Sequence, residues 1–368
     1  MNRDLFLNLA REGHCLPIGT HLVLHEQPDP DAVLLDGKRL GAVVIEAARR
    51  FRTPLAMPLM DLTVEKEALL IACGVPPDEI GTFHFTAAPD PPAGVTLTPR
   101  MRATCDALTS VAGLPDLLSI GMSIGPYSLL TKLVRDPITP VYLSGMGRSP
   151  EDEPEIALLN TLLGMGEAVI HRYVEAQIEA GAQAIVICEP AANLVYFSPL
   201  QMAENSKPFE TYVMEPMRRV AALLAAHKVD LIVHDCGELT DEMVRRLGSL
   251  GATMMSLGSS RELVHDAGLV PPDVVLYGNL PSKSFFESQL TPDEVEQRGK
   301  ELVERMAAVG HPFILGTECD VLSVPGRESE ISSKVHALMR CRCERADGGR
   351  RSPRCRSFCA STSGTILQ

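Results

Sequence analysis

Short apolar runs alternate with helix-like segments along most of the chain. Seven such runs end in glycine, proline or a polar residue, at 53–61, 117–126, 184–190, 231–237, 253–259, 274–281 and 313–320. Helical periodicity fills most of the intervals, and the longest helical segment is 155–182. The segment 291–310 opens with Thr291, Pro292 and Glu294, which is typical of a capped helix. Apolar strands that alternate with helices predict a parallel sheet covered by helices.

The run pattern favours a barrel over an open sheet. No Gly-x-Gly-x-x-Gly follows the first run, so a doubly wound nucleotide-binding sheet is disfavoured. We therefore predict a single (β/α)8 TIM barrel with an N-terminal helical extension, over residues 1–340. Chemistry in this fold lies at the carboxyl ends of the strands. The polar residues at those predicted ends are Asp61, Glu189, His234, Cys236, Asn279, Glu318 and Cys319.

The last 28 residues, 341–368, differ in composition from the rest of the chain. They contain six arginines and four of the ten cysteines, with almost no apolar periodicity. Their cysteine spacing matches no established zinc module, and no apolar set is present to fold around a metal. We predict that this Arg-, Cys- and Ser-rich tail is disordered.

Composition and charge exclude several classes of function. The 368 residues carry a net charge of −13, lack tryptophan and are only 4% aromatic, which disfavours nucleic-acid binding. No apolar run reaches the roughly 20 residues that span a bilayer, and the N-terminus is too charged for a secretory signal. The other six cysteines are scattered, as is usual for reduced thiols. We expect a cytoplasmic protein that binds neither nucleic acid nor membrane.

One pair of residues suggests a metal site. His234 and Cys236 are two positions apart at a predicted strand end, so their side chains point to the same side. An imidazole nitrogen and a thiolate together suit Zn(II). The third ligand must come from another strand end, and Cys319 is the candidate. The alternative is a buried cysteine beside an unrelated histidine.

Five stretches give the chain a resemblance to a known superfamily. In chain order they are 125–133, 179–199, 233–237, 277–282 and 310–326. Together they resemble the uroporphyrinogen decarboxylase superfamily and, within it, the zinc-dependent methylcorrinoid:thiol methyltransferases, such as the methylcobalamin:coenzyme M methyltransferases. The resemblance implies a β/α barrel. Because those methyltransferases bind zinc through a His-x-Cys pair and a distant Cys, it also implies His234, Cys236 and Cys319 as zinc ligands.

The resemblance also implies a reaction. A thiol bound to zinc loses its proton, and the thiolate then attacks the methyl group of a methyl-Co(III) corrinoid such as methylcobalamin. Co(I) leaves and a thioether forms. The expected substrate is a small thiol such as coenzyme M or homocysteine, and transfer in the reverse direction is a variant. The chain lacks a corrinoid-binding Asp-x-His-x-x-Gly motif, so we expect a separate corrinoid protein to act in trans.

Further residues have expected roles around this centre. Glu189 either fills the fourth zinc position at rest or is a capping, hydrogen-bonding carboxylate. Asp61 sits where the decarboxylase has its key aspartate and is a candidate catalytic residue. Asn279 either holds a loop or contacts the cofactor or substrate. Glu318 and Asp320 flank Cys319, and one of them is expected to hydrogen-bond to a histidine nitrogen.

Two alternatives to the methyltransferase remain open. The first is a decarboxylase of the uroporphyrinogen type, which needs no metal. Its Arg-Gln-Ala-Gly-Arg-Tyr segment is absent, and residues 11–19 lack the paired arginines that hold substrate carboxylates. The position of Asp61 nevertheless keeps this alternative open. The second is a barrel of the superfamily with an unknown substrate.

Overall fold

A parallel sheet forms the centre of the molecule. The structure is a computed structural model, and it describes residues 2–204 and 207–341. Within these residues eight strands make one parallel sheet in the order β1-β8-β7-β6-β5-β4-β3-β2. The strands are β1 (Cys15–Leu16), β2 (Leu55–Ala56), β3 (Leu118–Ile124), β4 (Ala184–Cys188), β5 (Asp230–Asp235), β6 (Met254–Leu257), β7 (Val275–Leu280) and β8 (Phe313–Thr317).

Helices cover the outer face of this sheet. In the described residues the α-helices are α1 (Arg3–Arg11), α2 (Thr20–His25), α3 (Pro30–Val33), α4 (Gly37–Arg50), α5 (Val64–Ala72), α6 (Pro99–Ala112), α7 (Pro126–Thr131), α8 (Ile138–Gly145), α9 (Pro154–Glu179), α10 (Pro199–Glu204), α11 (Lys207–Phe209), α12 (Glu215–Ala226), α13 (Asp241–Gly248), α14 (Leu263–Asp266), α15 (Pro292–Val309) and α16 (Glu328–Met339). A π-helical turn (Glu210–Met214) precedes α12, and a 3-10 turn (Ser282–Ser284) follows β7.

The predicted TIM-barrel fold is confirmed, with one correction. The seven apolar runs are β2 to β8, whereas the two-residue strand β1 was not predicted. In the part of the chain that the structure describes, β1 and β2 are the sheet edges and do not pair, so strand hydrogen bonds leave one seam open. Each edge strand has only two residues, which pair with β8 in the case of β1 and with β3 in the case of β2. The Thr20 hydroxyl bridges this region by donating to the Met57 carbonyl at 2.6 Å.

Alternation along the strands fixes which side chains face the barrel interior. On β4, Val186 and Cys188 belong to a hydrophobic cluster inside the barrel, called here the interior cluster. Ile185 and Ile187 pack instead in the layer between sheet and helices. Ile232 of β5 belongs to the same interior cluster. Because successive side chains alternate, His234, two residues further along, also faces the interior.

The predicted N-terminal extension is α1, which closes one end of the barrel. Its buried residues Phe6 and Leu9 belong to the interior cluster. Arg3 binds Asp273, before β7, at 2.8 Å and donates to the carbonyl of Ala252, before β6, at 3.2 Å. The helix therefore covers the amino ends of the strands and leaves the carboxyl ends for chemistry.

The described chain ends just after the barrel. Cys341, the first residue of the predicted tail, is 1% exposed, and its sulfur contacts Gly299 of α15. The rest of that tail lies outside the described residues, so its predicted disorder stays a prediction. The predicted capping box of Thr291 and Glu294 is present at the start of α15. Among the described helices, none is long and apolar enough to cross a membrane.

Candidate metal centre

Three predicted ligands lie together at the carboxyl ends of the strands. His234 is the second-last residue of β5, Cys236 follows the strand, and Cys319 lies two residues beyond β8. One ligand atom from each residue lies within 4.8 Å of the others. His234 is buried and the two cysteines are partly exposed, so the group opens toward the barrel mouth.

The neighbouring strand orients the imidazole. Ser256 of β6 is in register with His234, and its hydroxyl lies 2.9 Å from His234 Nδ1. Because Nδ1 has this partner, Nε2 is the nitrogen left for a metal. We expected Glu318 or Asp320 to take this role, and the structure assigns the hydrogen bond to Ser256 instead. Nothing in the sequence marks a serine on β6, since only the strand register brings it beside His234.

The two thiols share a hydrogen bond that separates their acidities. This bond with Cys319 lowers the pKa of Cys236 against the opposing effect of burial, and His234 and Lys283 lower it further. The same bond, together with burial, raises the pKa of Cys319. Cys236 is therefore the thiol of the pair that is poised to ionise, with the Lys283 ammonium in hydrogen-bonding contact.

This donor set fits zinc. Ligand atoms around a tetrahedral zinc are about 3.5–3.8 Å apart, so donors within 4.8 Å of one another need only a small inward shift. One imidazole and two thiolates are borderline-soft ligands, which suit zinc better than magnesium or calcium. Three protein ligands leave one position for substrate, as in catalytic rather than structural zinc sites.

Glu189 caps a helix beside this centre. It follows β4 directly, is 0% exposed and accepts hydrogen bonds from the backbone N–H groups of Tyr127 (3.1 Å) and Ser128 at the start of α7. A Cβ atom on Gly125 would lie 2.0 Å from its Oε2 atom. Burial raises the pKa of Glu189 to about 7. Of the two alternatives for Glu189, the structure shows the helix-capping one. That Glu189 also fills the fourth zinc position at rest stays a prediction.

Asp61 lies in a different part of the barrel wall. Its carboxylate accepts from the Thr63 hydroxyl at 2.6 Å and pairs with Arg100 at 2.9 Å. It lines a mainly apolar cavity between β3, α4 and α6, to which Tyr173 also contributes. Asp61 is not part of the group formed by His234 and the two cysteines. Its catalytic role stays a prediction.

Asn279 and Glu318 hold the loop that follows β6. The Asn279 amide donates to the carbonyls of Gly258 and Arg261, each at 2.8 Å. Glu318 accepts from the N–H (3.1 Å) and the hydroxyl (2.8 Å) of Ser259. The loop-holding alternative for Asn279 is therefore what the structure shows, and its contact with a cofactor stays a prediction.

A second acidic group with a histidine does not suit a metal. Asp241, His265 and Asp266 lie close together, but the Arg261 guanidinium is hydrogen-bonded to both aspartates, at 2.8 Å from Asp241. His265 Nε2 lies 2.8 Å from the other Asp241 oxygen. The Arg261 guanidinium already pairs with both carboxylates, so this group is an ion-pair network.

Lys283 is a residue of the centre that sequence reasoning missed. It lies in the 3-10 turn after β7, hydrogen-bonds with Cys236, and has its ammonium 3.8 Å from Glu318 Oε2. Burial is the largest single effect and lowers the pKa of Lys283, but Cys236, Glu318 and Cys319 together outweigh it and raise that pKa. The only feature of the sequence that could have indicated Lys283 is its position just after an apolar run. That feature is weak, because lysines are common on solvent-exposed turns.

Comparisons with known proteins agree with this architecture. The sequence profile of "Uroporphyrinogen decarboxylase (URO-D)" matches residues 33–330. A curated uroporphyrinogen decarboxylase from Gloeobacter violaceus is 27% identical over 164 residues, 45% of this chain and 43% of that protein. One from Oceanobacillus iheyensis is 26% identical over 221 residues, 59% of this chain and 58% of that protein. The matched regions thus span about half the length of these relatives.

A solved structure gives the same fold over nearly the whole chain. A "methyltransferase from Methanosarcina mazei" superposes with a TM-score of 0.62 at 17% identity, covering 91% of this chain and 98% of that one. Fold and site together define a β/α-barrel protein with a His-Cys-Cys group at its mouth. The chain belongs to the uroporphyrinogen decarboxylase family, a family of enzymes.

Proposed function

We propose that this protein is a zinc-dependent methyltransferase that moves a methyl group between a corrinoid and a small thiol. The observation that carries the proposal is the grouping of His234, Cys236 and Cys319 at the carboxyl ends of two strands. A decarboxylase needs no such group. The likeness to a structure named as a methyltransferase is compatible with it.

The chain's own residues prepare the site. Ser256 holds the imidazole so that Nε2 faces inward, and Asp320 N–H donates to the Cys319 sulfur. When bound, zinc would supply the acidity that converts a substrate thiol, with an ordinary pKa of about 8.5, into a nucleophile at neutral pH. When bound at the barrel mouth, a corrinoid would supply the methyl group, and the thiol sulfur held by the His234, Cys236 and Cys319 centre would accept it.

The barrel mouth must admit the corrinoid. We propose that a separate corrinoid protein presents it in trans, because the sequence lacks the Asp-x-His-x-x-Gly motif. Asn279 and Glu318 would set the shape of the mouth, since they hold the loop after β6. Coenzyme M and homocysteine are both candidate thiols.

A uroporphyrinogen-type decarboxylase is the second candidate, favoured by the names of the two curated relatives. Against it, the Asp61 carboxylate is already paired with Arg100 at 2.9 Å. The other buried carboxyl groups near the mouth, Glu189, Glu318 and Asp320, disfavour a substrate with many acid groups. Removal of metal separates the candidates, because only the methyltransferase requires zinc.

Metal analysis tests the proposed site. Purified protein should hold about one zinc per chain after dialysis, and Cys236→Ser or Cys319→Ser should lose most of it. Cys73→Ser, at the end of α5 and outside the site, is the matched control and should keep it. X-ray absorption should show a third sulfur bound to zinc once the correct thiol is added. Full zinc retention in both site variants would rule the site out.

A further inference from the structure

Cys236 and Cys319 are close in space although they are far apart in the sequence. Their sulfur atoms lie within 4.8 Å of each other, and the two side chains share a hydrogen bond. Cys236 follows β5 and Cys319 lies beyond β8, so neither residue takes part in strand pairing. A disulfide between them would therefore form without breaking the sheet.

Protein contacts hold the backbone of each cysteine in place. The Ser282 hydroxyl donates to the Cys319 carbonyl at 3.0 Å. A Cβ atom on Gly258 would lie 3.0 Å from the Cα atom of Cys236, so the loop after β6 packs directly against that residue. The Gly258 N–H also donates to the carbonyl of Asp235, the residue before Cys236, at 3.1 Å. The two thiols are therefore kept together by the protein itself.

Cys236 differs in reactivity from the other partly exposed cysteines. Its hydrogen bond with Cys319 lowers its pKa against the effect of burial. Apart from this pair, the partly exposed cysteines that the structure describes are Cys73 and Cys105, and burial raises the pKa of both. Because the thiolate is the form that reacts with oxidants, Cys236 is the described thiol best suited to react first.

A third thiol, Cys188, lies near the pair but is less suited to react. It is in register with His234 on the neighbouring strand β4 and is 1% exposed, within the interior cluster. Burial raises its pKa, and the charge of Cys236 raises it further. Its sulfur is not part of the group formed by His234 and the two cysteines. Cys319 is therefore the better partner for Cys236.

We propose that Cys236 is a site of oxidation by peroxides and that Cys319 closes the oxidised form to a disulfide. Both residues are proposed zinc ligands, so the disulfide removes two of the three protein donors. The pair then alternates between a reduced form that holds zinc and an oxidised form that does not. The inference rests on the proposed function only for this zinc assignment, and not for methyl transfer.

The oxidation takes place in two steps. In the first, the Cys236 thiolate attacks one oxygen of hydrogen peroxide, the O–O bond breaks, and the hydroxide that leaves takes up a proton to become water. Cys236 is then a sulfenic acid. In the second, the Cys319 sulfur attacks the Cys236 sulfur, the S–O bond breaks, and a second water leaves as the disulfide forms. The two thiols lose two electrons and two protons, and the peroxide is reduced to two waters.

Hydrogen peroxide added to zinc-loaded protein tests this inference. The remaining thiols are alkylated, peptide mass spectrometry gives the state of each cysteine, and a chromophoric chelator measures released zinc. We expect a disulfide that links Cys236 to Cys319 and release of about one zinc per disulfide. This pair should be oxidised at least about tenfold faster than Cys73 or Cys105. A phosphine reductant with added zinc should restore both the thiols and the bound metal.

Variants assign the two roles. In Cys319→Ser the second step is blocked while a hydrogen-bonding hydroxyl remains, so Cys236 should accumulate as a sulfenic acid that a 1,3-dione reagent labels. In Cys236→Ser the same reagent should label Cys319 at least about tenfold less. Cys188→Ser is the matched control, because this thiol lies near the pair but outside the site. It should form the same disulfide at the wild-type rate.

The outcomes separate this inference from the proposed function. Oxidation of Cys73 or Cys105 before the pair, or a disulfide that links Cys236 to Cys188, overturns the inference and leaves methyl transfer standing. Retention of zinc by protein that carries the Cys236–Cys319 disulfide overturns both, because the pair would then not be the zinc site. A reversible disulfide with zinc release, in protein that forms no thioether from methylcobalamin, supports the inference while the proposed function fails.

Discussion

At the residue scale, the centre depends on a few close contacts. Gly316 of β8 lies against the Tyr277 ring, and a Cβ atom there would be 2.1 Å from a ring carbon. The ring cannot move freely, because its hydroxyl donates to the Leu16 carbonyl at 2.6 Å. The Tyr277 side chain thereby links β7 to β1 across β8. It crosses β8 at Gly316, three residues before Cys319. The close approach of this ring is the reason for a glycine at position 316. Flexibility near Cys319 is not needed to explain it.

Gly316→Ala should therefore destabilise the protein. Overpacking of this kind costs about 1–3 kcal/mol of unfolding free energy, and the shift of β8 should also weaken zinc binding through Cys319. Urea unfolding and zinc titration measure the two effects. Gly164→Ala is the control, because Gly164 is exposed on α9 with open space around it, and it should leave stability equal or up to about 1 kcal/mol higher. A Gly316→Ala variant as stable as wild type would contradict the packing account.

Residue patterns predict part of this centre and not the rest. His234 and Cys236 are predictable because they share one strand end, where a spacing of two fixes a common side. The prediction of Cys319 needed the further assumption that a strand end distant in sequence lies close in space. The closed order of strands in a barrel provides that proximity. Ser256 and Lys283 were missed because strand register and a turn conformation bring them in, and neither leaves a signature in sequence.

At the element scale, Glu65 joins helix α5 to strand β3. Its Oε1 atom accepts from the Ser123 hydroxyl at 2.6 Å and the Ile124 N–H at 3.1 Å. Its Oε2 atom is buried and has no hydrogen-bond partner within the described ranges. Burial raises the pKa of Glu65 to about 7 from 4.5. The folded protein therefore holds this proton more tightly than the unfolded chain does.

This shift predicts a pH dependence. Stability from the protonated group is fully present below about pH 4.5 and is lost as the pH rises through 7. Between pH 5 and 8 the unfolding free energy of wild type should fall by about 2–3 kcal/mol relative to Glu65→Gln. Denaturant unfolding at both pH values measures this. Glu67, which is partly exposed on the same helix, provides the control. The unfolding free energy of Glu67→Gln should change with pH as that of wild type does. Parallel curves for Glu65→Gln would contradict the raised pKa.

Long elements were predictable from their periodicity, and short ones only where they lie inside an apolar run. The longest predicted helix, 155–182, corresponds to α9 at Pro154–Glu179, and the seven apolar runs match β2 to β8. The two-residue strand β1 was missed because no predicted apolar run contains it, whereas the equally short β2 lies inside the run 53–61.

At the scale of the whole molecule, the packed part of the chain that the structure describes extends to Cys341. This residue is buried against α15, with its sulfur 3.4 Å from the Glu296 carbonyl. We predict that deleting residues 342–368 leaves the melting temperature and zinc content within error of wild type, because their composition cannot supply a core. Deleting 341 as well should lower the melting temperature by a few degrees, roughly 1 kcal/mol. A large loss from the shorter deletion would show that the tail contributes to folding.

The central claim is methyl transfer at the His234, Cys236 and Cys319 centre, and product formation tests it most directly. Zinc-loaded protein is incubated with methylcobalamin and a panel of small thiols, and the methyl thioether is quantified by mass spectrometry. We predict thioether formation with at least one thiol, at least about 100-fold slower in Cys319→Ser and unchanged in Cys73→Ser. The account is contradicted if no thiol gives thioether above the protein-free rate, or if Cys319→Ser forms it as fast as wild type.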